Sequence, residues 1–336
     1  MPTTSILMPT WNGASFIREQ VASILGQSDP DFELLVMDDG SSDDTVAIIE
    51  ELVGTDARLR LLPSSGNRGQ RRRLVELLSQ ALGTFIAIAD QDDIWASDRN
   101  ERLLAGIGSL PLAFGRSDII DGAGGEQGRS LLEAFRIDAK TQGRLRSLFY
   151  PLVSAHAALI RRDWLDVGAF YGSRPFDWLI ALEAQFSSGL VYIDDAIVYH
   201  RIHGNNQSNG SVAREKANRR FSRSRLRLST GFVASDRILF YQTVEFLSRS
   251  VVLKPDVRRV MSNVVEACFY AWYYHLDYTL NRGRKLERDL HVLLAPFAES
   301  DDDLAMFDKT IRSLTRSQYG PTNLVESYRR YTDWYW

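Results

Sequence analysis

The chain has 336 residues, 44% of them hydrophobic and 25% charged, a composition typical of a folded globular protein. Its 40 basic and 43 acidic side chains give a net charge of −3, so we expect no nucleic-acid partner. A single cysteine, Cys268, excludes an intrachain disulfide framework and a cysteine-based zinc cluster. Because the sequence shows neither a signal peptide nor an apolar stretch of membrane-spanning length, we expect a cytoplasmic protein.

The first two hundred residues alternate strand-length apolar runs with segments of helical periodicity. This alternation predicts βαβ units and a mainly parallel sheet. The predicted strands and helices are strands at 5–8, 32–37, 58–62, 84–89, 191–194 and 197–199, and helices at 14–26, 43–53, 69–82 and 174–186. Ligands of such sheets bind beyond the carboxyl ends of the strands, so the turns after Met8, Met37 and Ala89 are candidate site positions.

The pattern changes to long helical segments beyond residue 210. We therefore divide the chain into a domain of residues 1–208 and a helical domain of residues 209–336. The predicted helices of the second domain lie at 232–252, 257–280 and 285–297.

A basic segment and an aromatic cluster in the second domain each have two interpretations. Residues 214–227 carry seven basic residues and one acidic residue, either as a solvated helix face or as a surface for anionic lipid. The cluster at 269–274 is either a membrane-surface face or the core or dimer interface of a helix bundle. The glycine-rich stretch 122–128 lacks the Lys-Ser/Thr pair of a phosphate loop and is predicted to be a surface loop.

Acidic residues follow two of the predicted strands. Asp38 and Asp39 end the second strand, where an inward carboxylate suits a ribose hydroxyl or a pyrimidine N–H, while Ser42, Asp43 and Asp44 are explained by helix capping. Strand alternation places Asp90 and Asp92 on the same side after the fourth strand. Two carboxylates with substrate phosphate oxygens are ligands for Mg²⁺ or Mn²⁺, and a capped acidic turn is the alternative.

Residues 5–12, 32–43 and 90–95 together resemble the family 2 glycosyltransferases, in particular their bacterial rhamnosyltransferase-like branch. The resemblance covers about residues 3–208 and implies a GT-A fold, in which helices flank a Rossmann-like, mainly parallel mixed sheet. It implies an inverting, Mg²⁺- or Mn²⁺-dependent transfer of a sugar from a nucleoside-diphosphate sugar of dTDP-rhamnose or UDP-hexose type. The implied acceptor is a hydroxyl of a glycan or a lipid-linked saccharide, in cell-surface polysaccharide synthesis.

The resemblance also assigns roles to individual residues. The implied nucleotide-sugar ligands are Pro9, Thr10, Trp11, Asn12, Asp39, Asn67, Arg71, Asp90, Gln91 and Arg201. The implied metal ligands are Asp92, Asp90 and His203. Asp177 is the implied general base on the acceptor hydroxyl, although the N-cap of the following helix is a competing role. A second Asn that the family often has after its Asn-x-Gly segment is replaced here within Arg71–Arg73.

Two other classes of function stay open from the sequence. One is a sugar-nucleotide-binding scaffold without activity, and the other is a nucleotidyltransferase, which releases pyrophosphate. Membrane-surface contact through residues 214–227, at the inner face of the cell membrane, and self-association through the C-terminal helices are further expectations. We interpret His156 as a pocket wall residue and expect no partner for His200, His275 or His291.

Overall fold

The computed structural model describes residues 1–135, 137–172, 174–204, 230–272 and 280–316. The chain forms two compact units. The first unit comprises residues 1–140, 152–184 and 188–209, and the second comprises residues 141–151, 185–187 and 210–336.

A mixed sheet of nine strands organises the first unit. The strands are β1 Thr4–Thr10, β2 Phe32–Asp38, β3 Leu59–Leu61, β4 Phe85–Ile88, β5 Ile94–Trp95, β6 Leu112–Asp121, β7 Glu126–Ser130, β8 Ala158–Arg161 and β9 Leu190–Ile202. Their order is β3-β2-β1-β4-β8-β6-β9-β5, with β7 paired to β6. Strands β1 to β4 are parallel to one another, β8 is antiparallel to β4 and β6, and β9 is parallel to β6. The predicted α/β fold with a mainly parallel mixed sheet is confirmed.

The helices fall between the strands in the first half of the chain and follow one another in the second. They are α1 Ile17–Leu25, α2 Thr45–Val53, α3 Gln70–Gln80, α4 Arg99–Ile107, α5 Leu131–Ala134, α6 Arg144–Ser147, α7 Phe176–Phe186, α8 Thr230–Arg249, α9 Pro255–Trp272, α10 Leu280–Leu294 and α11 Asp301–Arg316. Short 3₁₀ turns lie at Ala155–Ala157, Val167–Tyr171 and Ala295–Phe297.

The central strands are buried on both sides, and this places the core. Every residue of β1 and of β2 is buried, including Ile6, Leu7 and Met8 at 0% exposure. Strands covered on both faces read as continuous apolar runs, which explains why the sequence located them within two residues. Since β1, β2 and β4 run parallel, their carboxyl ends meet at one edge of the sheet.

The second half of the sheet differs from the prediction. The predicted strands 191–194 and 197–199 are one strand, β9, whose register against β6 shifts between Gly115 and Ser117. Gly122–Gly125 form the predicted surface turn, where the Asp121 carboxylate accepts the N–H groups of Ala123 and Gly125. Glu126–Gly128 were wrongly predicted as loop, because they begin β7, an exposed strand without an apolar pattern.

The described helices of the second unit pack around buried apolar side chains. These are Phe240, Val244, Leu247, Met261, Val264, Cys268, Leu286, Leu290, Phe307 and Ile311. The Asp303 carboxylate joins α6 to the start of α11, because it accepts the N–H groups of Leu145, Arg146 and Glu299. Helix α11 was not predicted. The basic segment 214–227 and most of the 269–274 cluster lie outside the described side chains, and no described helix is long and apolar enough to span a bilayer.

Candidate active site

The turn after β1 is held by the side chain of Gln91. The Trp11 N–H donates to Gln91 Oε1 at 2.8 Å, and Gln91 Nε2 donates to the Trp11 carbonyl at 2.9 Å. Asn12 follows with φ +48°, a left-handed conformation that asparagine tolerates better than most residues. The Trp11 indole is 46% exposed, so its face is available for stacking. The side chain of Gln91, a predicted nucleotide-sugar ligand, therefore holds the backbone of Trp11, whose exposed indole is available for stacking.

The neighbouring predicted residues support this turn. Pro9 and Thr10 are buried in β1, and the Thr10 hydroxyl donates to Asp38 Oδ1 at 3.0 Å. The Asn12 side-chain oxygen accepts the Ser42 N–H at 2.8 Å. Ser42 therefore does not cap α2 as predicted, because it is used by Asn12. The N-cap residue of α2 is Asp44, whose side chain makes no capping hydrogen bond, and the carboxylate of Asp43, one residue earlier, accepts the Thr45 N–H at 3.1 Å.

Asp38 and Asp39 have different partners at the end of β2. Asp38 closes its own turn by accepting the N–H groups of Gly40 and Ser41 at 2.9 and 2.7 Å. Asp39 accepts the N–H groups of Arg68 and Gly69 at 2.7 and 2.8 Å. The carboxylate predicted to bind the base or ribose therefore also fixes the loop before α3, the loop that carries the exposed Asn67.

Arg73 completes the surroundings of Asp39. Its Nε donates to Asp39 Oδ1 at 2.9 Å, and the two side chains are only 2% and 7% exposed. The same guanidinium donates to Glu76 at 2.8 Å and to the carbonyl groups of Ser65 and Gly66. A buried arginine thus connects β2, the loop and α3.

Asp90 and Asp92 each meet a histidine in the turn after β4. Asp92 Oδ2 lies 2.8 Å from His203 Nε2, and Asp90 Oδ2 lies 3.2 Å from His156 Nδ1. Burial, together with the charges of Asp90 and Asp93, raises the pKa of Asp92 against the opposing effect of His203. His203 also packs on the Phe16 ring, with 4.5 Å between ring centroids. The structure therefore brings the predicted Asp92 and His203 into direct contact.

Asp93 is the centre of a fully buried group that the sequence did not reveal. Its Oδ1 lies 2.9 Å from His200 Nδ1, and its Oδ2, which has no hydrogen-bond partner, lies 3.8 Å from His156 Nδ1. Burial lowers the pKa of His200, but the charges and hydrogen bond of the neighbouring aspartates outweigh it and raise this pKa to about 9. The expectation that His200 lacks a partner was wrong, as it was for His291, whose Nδ1 lies 2.9 Å from Asp308.

These contacts decide which residues suit a divalent cation. Asp93, His156 and His200 are the one set in the described residues whose three possible ligand atoms lie within 4.8 Å of one another. Because the neighbouring aspartates raise the pKa of His200 to about 9, a cation bound here would have to displace the His200 proton. The predicted ligands Asp92, Asp90 and His203 offer carboxylate oxygens and one imidazole of the kind that suits Mg²⁺ or Mn²⁺, but the structure does not bring their three ligand atoms within 4.8 Å of one another.

His156, which was predicted to be a pocket wall residue, is held by a hydrogen bond and by a ring contact. Its Nε2 lies 2.9 Å from the buried Ser117 hydroxyl, and its ring stacks on His200 with 4.9 Å between centroids. The buried Arg99 donates to the carbonyl groups of residues 156 and 158 at 3.0 and 2.9 Å and lies 3.7 Å from the Trp95 ring centroid. Burial lowers the pKa of Arg99 to about 9. Sequence reasoning missed Arg99 because nothing in its local pattern distinguishes it from a surface arginine.

Arg201, a predicted nucleotide-sugar ligand, is buried, with only 2% of its surface exposed. Its guanidinium donates to the carbonyl groups of Asp92 and Gly122 at 2.9 and 3.1 Å and to Glu19 Oε2 at 2.6 Å. The guanidinium carbon lies 5.0 Å from the centre of the Phe16 ring. Arg201 therefore ties the turn that contains Asp92 to the β6–β7 turn and to α1.

Asp177 is the second residue of α7, so the competing N-cap assignment is wrong. Its Oδ1 accepts the N–H of Trp178 at 2.8 Å. Burial raises the pKa of Asp177, the Trp178 hydrogen bond and the His156 charge oppose this, and the charge of Asp90 adds to it. An aspartate whose pKa is raised and whose charge interacts with Asp90 and His156 is suited to accept a proton at this edge of the sheet.

Comparisons with known proteins agree with this geometry. Residues 5–168 match the family described as Glycosyl transferase family 2. The chain is 34% identical over 119 residues, 35% of its length, to the Escherichia coli UDP-Glc:alpha-D-GlcNAc-diphosphoundecaprenol beta-1,3-glucosyltransferase WfgD, covering 46% of that protein. It is 36% identical over 97 residues, 27% of its length, to the Shigella flexneri dTDP-rhamnosyl transferase RfbG, covering 34% of that protein. The chain thus spans less than half of the length of these curated relatives.

A solved structure extends the similarity of fold to nearly the whole chain. Residues 1–349 of Staphylococcus aureus TarS, in complex with UDP-GlcNAc, align over 98% of this chain and 92% of TarS, with a TM-score of 0.55 and 16% identity. At that identity the comparison supports the fold alone. Together with the family match and the carboxylates at the edge of the sheet, it leads to one conclusion: residues 5–168 match glycosyl transferase family 2, and the chain has the GT-A fold.

Proposed function

We propose that the protein transfers a sugar from a nucleoside-diphosphate sugar to a hydroxyl group of a glycan or lipid-linked acceptor, with inversion at the anomeric carbon and with Mg²⁺ or Mn²⁺ bound. A donor of dTDP-rhamnose or UDP-hexose type agrees with the relatives described as a dTDP-rhamnosyl transferase and a UDP-Glc-dependent glucosyltransferase. The second of these acts on a diphosphoundecaprenol-linked sugar, which supports a role in cell-surface polysaccharide synthesis.

The interaction of three carboxylates carries this proposal. Burial is the main cause of the raised pKa of both Asp92 and Asp177, and the charge of Asp90 raises both further. Asp90 is therefore close enough to interact electrostatically with Asp92, the proposed metal ligand, and with Asp177, the proposed proton acceptor. Displacement at an anomeric carbon needs both, because the leaving diphosphate gains charge while the incoming hydroxyl loses its proton.

Each residue has a role that follows from its contacts. The Trp11 face stacks on the nucleobase, and the Asp39 carboxylate, held by Arg73 and the loop, faces the base or ribose. Asp92, Asp90 and His203 would hold the cation, which would stabilise charge on the diphosphate leaving group. The Asp177 carboxylate, which also accepts backbone N–H groups of Trp178 and Ala155, takes the proton of the acceptor hydroxyl. One base is enough for inversion, unlike retaining hydrolysis with its paired carboxylates.

The test is a donor panel with the products identified. Purified protein is incubated with Mg²⁺ or Mn²⁺, UDP-, dTDP- and GDP-sugars and a synthetic polyprenyl-diphosphate saccharide, and the released nucleotide is identified by chromatography. We expect one donor to release nucleoside diphosphate and to extend the acceptor. Asp177→Asn should lower kcat by about 10²–10⁴-fold while leaving donor binding intact.

Three outcomes would contradict the proposal. Release of pyrophosphate would indicate a nucleotidyltransferase. Binding of nucleotide without turnover of any donor would indicate a scaffold. Near-normal transfer by Asp177→Asn, together with a metal-dependent wild type, would remove the assignment of Asp177 as the base.

A further inference from the structure

Arg71 connects two segments of the candidate active site that are far apart in the sequence. It lies in the first turn of α3, and its two terminal nitrogens donate to the carbonyl groups of Gly172 and Arg174 at 2.5 and 2.6 Å. These carbonyl groups belong to the segment between the 3₁₀ turn Val167–Tyr171 and α7. Asp177 follows in the first turn of α7, so Arg71 holds the segment that leads into the proposed base.

The same turn of α3 is attached to the nucleotide side of the site. Gly69, the residue before α3, donates its N–H to Asp39, and Arg73 donates to Asp39 from within the helix. Arg71 lies between these two residues along the chain. One helical turn therefore contacts Asp39 on one side and the segment before Asp177 on the other.

The segment that Arg71 holds is packed closely on α7. A Cβ atom placed on Gly172 would overlap the Leu179 side chain, so the backbone at Gly172 lies directly against the helix. Arg174 also lies over the Trp178 ring, with 3.9 Å from its guanidinium carbon to the ring centroid. Because of these contacts, a displacement of the segment is transmitted to the first turn of α7.

The chemistry of these bonds favours a structural connection over a diphosphate ligand. A charged guanidinium that donates to two backbone carbonyl groups makes two short, charge-assisted hydrogen bonds in a fixed geometry. Turning this side chain toward a diphosphate would break both bonds and return the two carbonyl groups to solvent. The sequence-based assignment of Arg71 to the nucleotide-sugar ligands does not take these bonds into account.

We propose that Arg71 is a positioning residue that fixes Asp177 relative to Asp39 and does not contact the donor diphosphate. This inference rests on the proposed role of Asp177 as the base. A displacement of about 1 Å at a reacting group lowers the rate by about 10²-fold, so the loss of Arg71 should act on kcat. It should leave the affinity for nucleoside diphosphate nearly unchanged, since Asp39 and Trp11 stay in place.

The test compares Arg71→Ala and Arg71→Lys with Arg72→Ala. Arg72 is the matched control because it is the next arginine of the same helix and its side chain is exposed. We expect Arg71→Ala to lower kcat by about 10–100-fold and to change the Kd of nucleoside diphosphate, measured by calorimetry, by less than about threefold. Arg71→Lys should recover part of the loss, because one ammonium donor reaches one carbonyl group. Arg72→Ala should behave like the wild type.

Hydrogen exchange provides a measurement that does not depend on turnover. In Arg71→Ala the amides of Arg174 and of residues 176–180 should exchange faster, while those of Arg68 and Gly69 keep the wild-type rate. A tenfold weaker binding of nucleoside diphosphate, with unchanged binding of the nucleoside, would overturn the inference and make Arg71 a phosphate ligand. Unchanged exchange at Arg174 and residues 176–180 would also overturn it. Faster exchange in Arg71→Ala, combined with a wild-type protein that transfers no sugar, would contradict the proposed function alone.

Discussion

The Asp39–Arg73 pair predicts that the substitution Asp39→Asn destabilises the fold as well as the nucleotide site. Asp39 accepts three hydrogen bonds, from the N–H groups of Arg68 and Gly69 and from Arg73 Nε. The asparagine oxygen replaces Oδ1 and keeps two of these donors, but its amide nitrogen then faces the Gly69 N–H. The buried Arg73 guanidinium also loses its most buried counter-charge and keeps Glu76, which is 28% exposed.

The expected loss follows from these contacts. Removing one partner of a buried ion pair costs about 3–5 kcal/mol, and the retained oxygen and Glu76 place Asp39→Asn at the lower end of that range. A loss of about 3 kcal/mol lowers Tm by about 6–12 °C for a domain of this size. The free energy of unfolding is measured by urea denaturation, and Tm is measured by calorimetry. Glu51→Gln, which breaks the exposed Arg18–Glu51 pair, is the matched control and should leave Tm unchanged.

A double-mutant cycle separates the pair from the rest of the site. Asp39→Asn and Arg73→Met are measured singly and together, and the sum of the single effects should exceed the double effect by about 2 kcal/mol. Additive effects would show that the two side chains do not stabilise each other. If Asp39→Asn lowers the free energy of unfolding by less than about 1 kcal/mol, the argument that Arg73 depends on this carboxylate is contradicted.

Three further predictions concern single residues. Burial and the Asp90 charge raise the pKa of Asp177, so this base becomes protonated at a higher pH than an ordinary aspartate. As the pH is lowered, kcat should therefore begin to fall at a pH above the usual aspartate pKa. If Asp177→Asn shows the same fall of kcat at low pH, this prediction is refuted. A Cβ atom at Gly13 would overlap the Gln91 amide, so Gly13→Ala should weaken nucleotide binding about fivefold in calorimetry. Burial raises the pKa of the Cys268 thiol, so native protein should not react with a thiol reagent at pH 8, whereas urea-unfolded protein should react at once.

The sequence was most informative where burial leaves a simple pattern. Strands β1, β2 and β4 are short apolar runs bounded by turn residues, and the acidic residues at their ends were found because parallel strands share an edge. Strand β7 carries no such pattern, since four of its five residues are exposed. Of the strands beyond β4, only β9 was predicted from the sequence pattern, and it was predicted as two strands.

The contacts inside the site were outside the reach of periodicity for a different reason. Asp92 and His203 lie 111 residues apart in the chain, and only the resemblance to a family placed them together. The run Arg71–Arg73 shows the limit within one helix. Successive helical residues point about 100° apart, so Arg71 binds two carbonyl groups, Arg72 is exposed and Arg73 is buried against Asp39. Three identical side chains have three environments that only the packing reveals.

The three buried arginines have a consequence for the cost of ligand ordering. Arg73, Arg99 and Arg201 are among the largest fully buried side chains, and each binds backbone carbonyl groups of turns at the carboxyl edge of the sheet. Loops that lack such hydrogen bonds sample many conformations. A ligand that orders them on binding has a lower affinity, because ordering the loop costs conformational entropy. In this protein the turns held by the buried arginines lose that conformational entropy during folding. The proposed donor site is therefore preorganised in the free protein, and donor association should proceed with little change in backbone conformation.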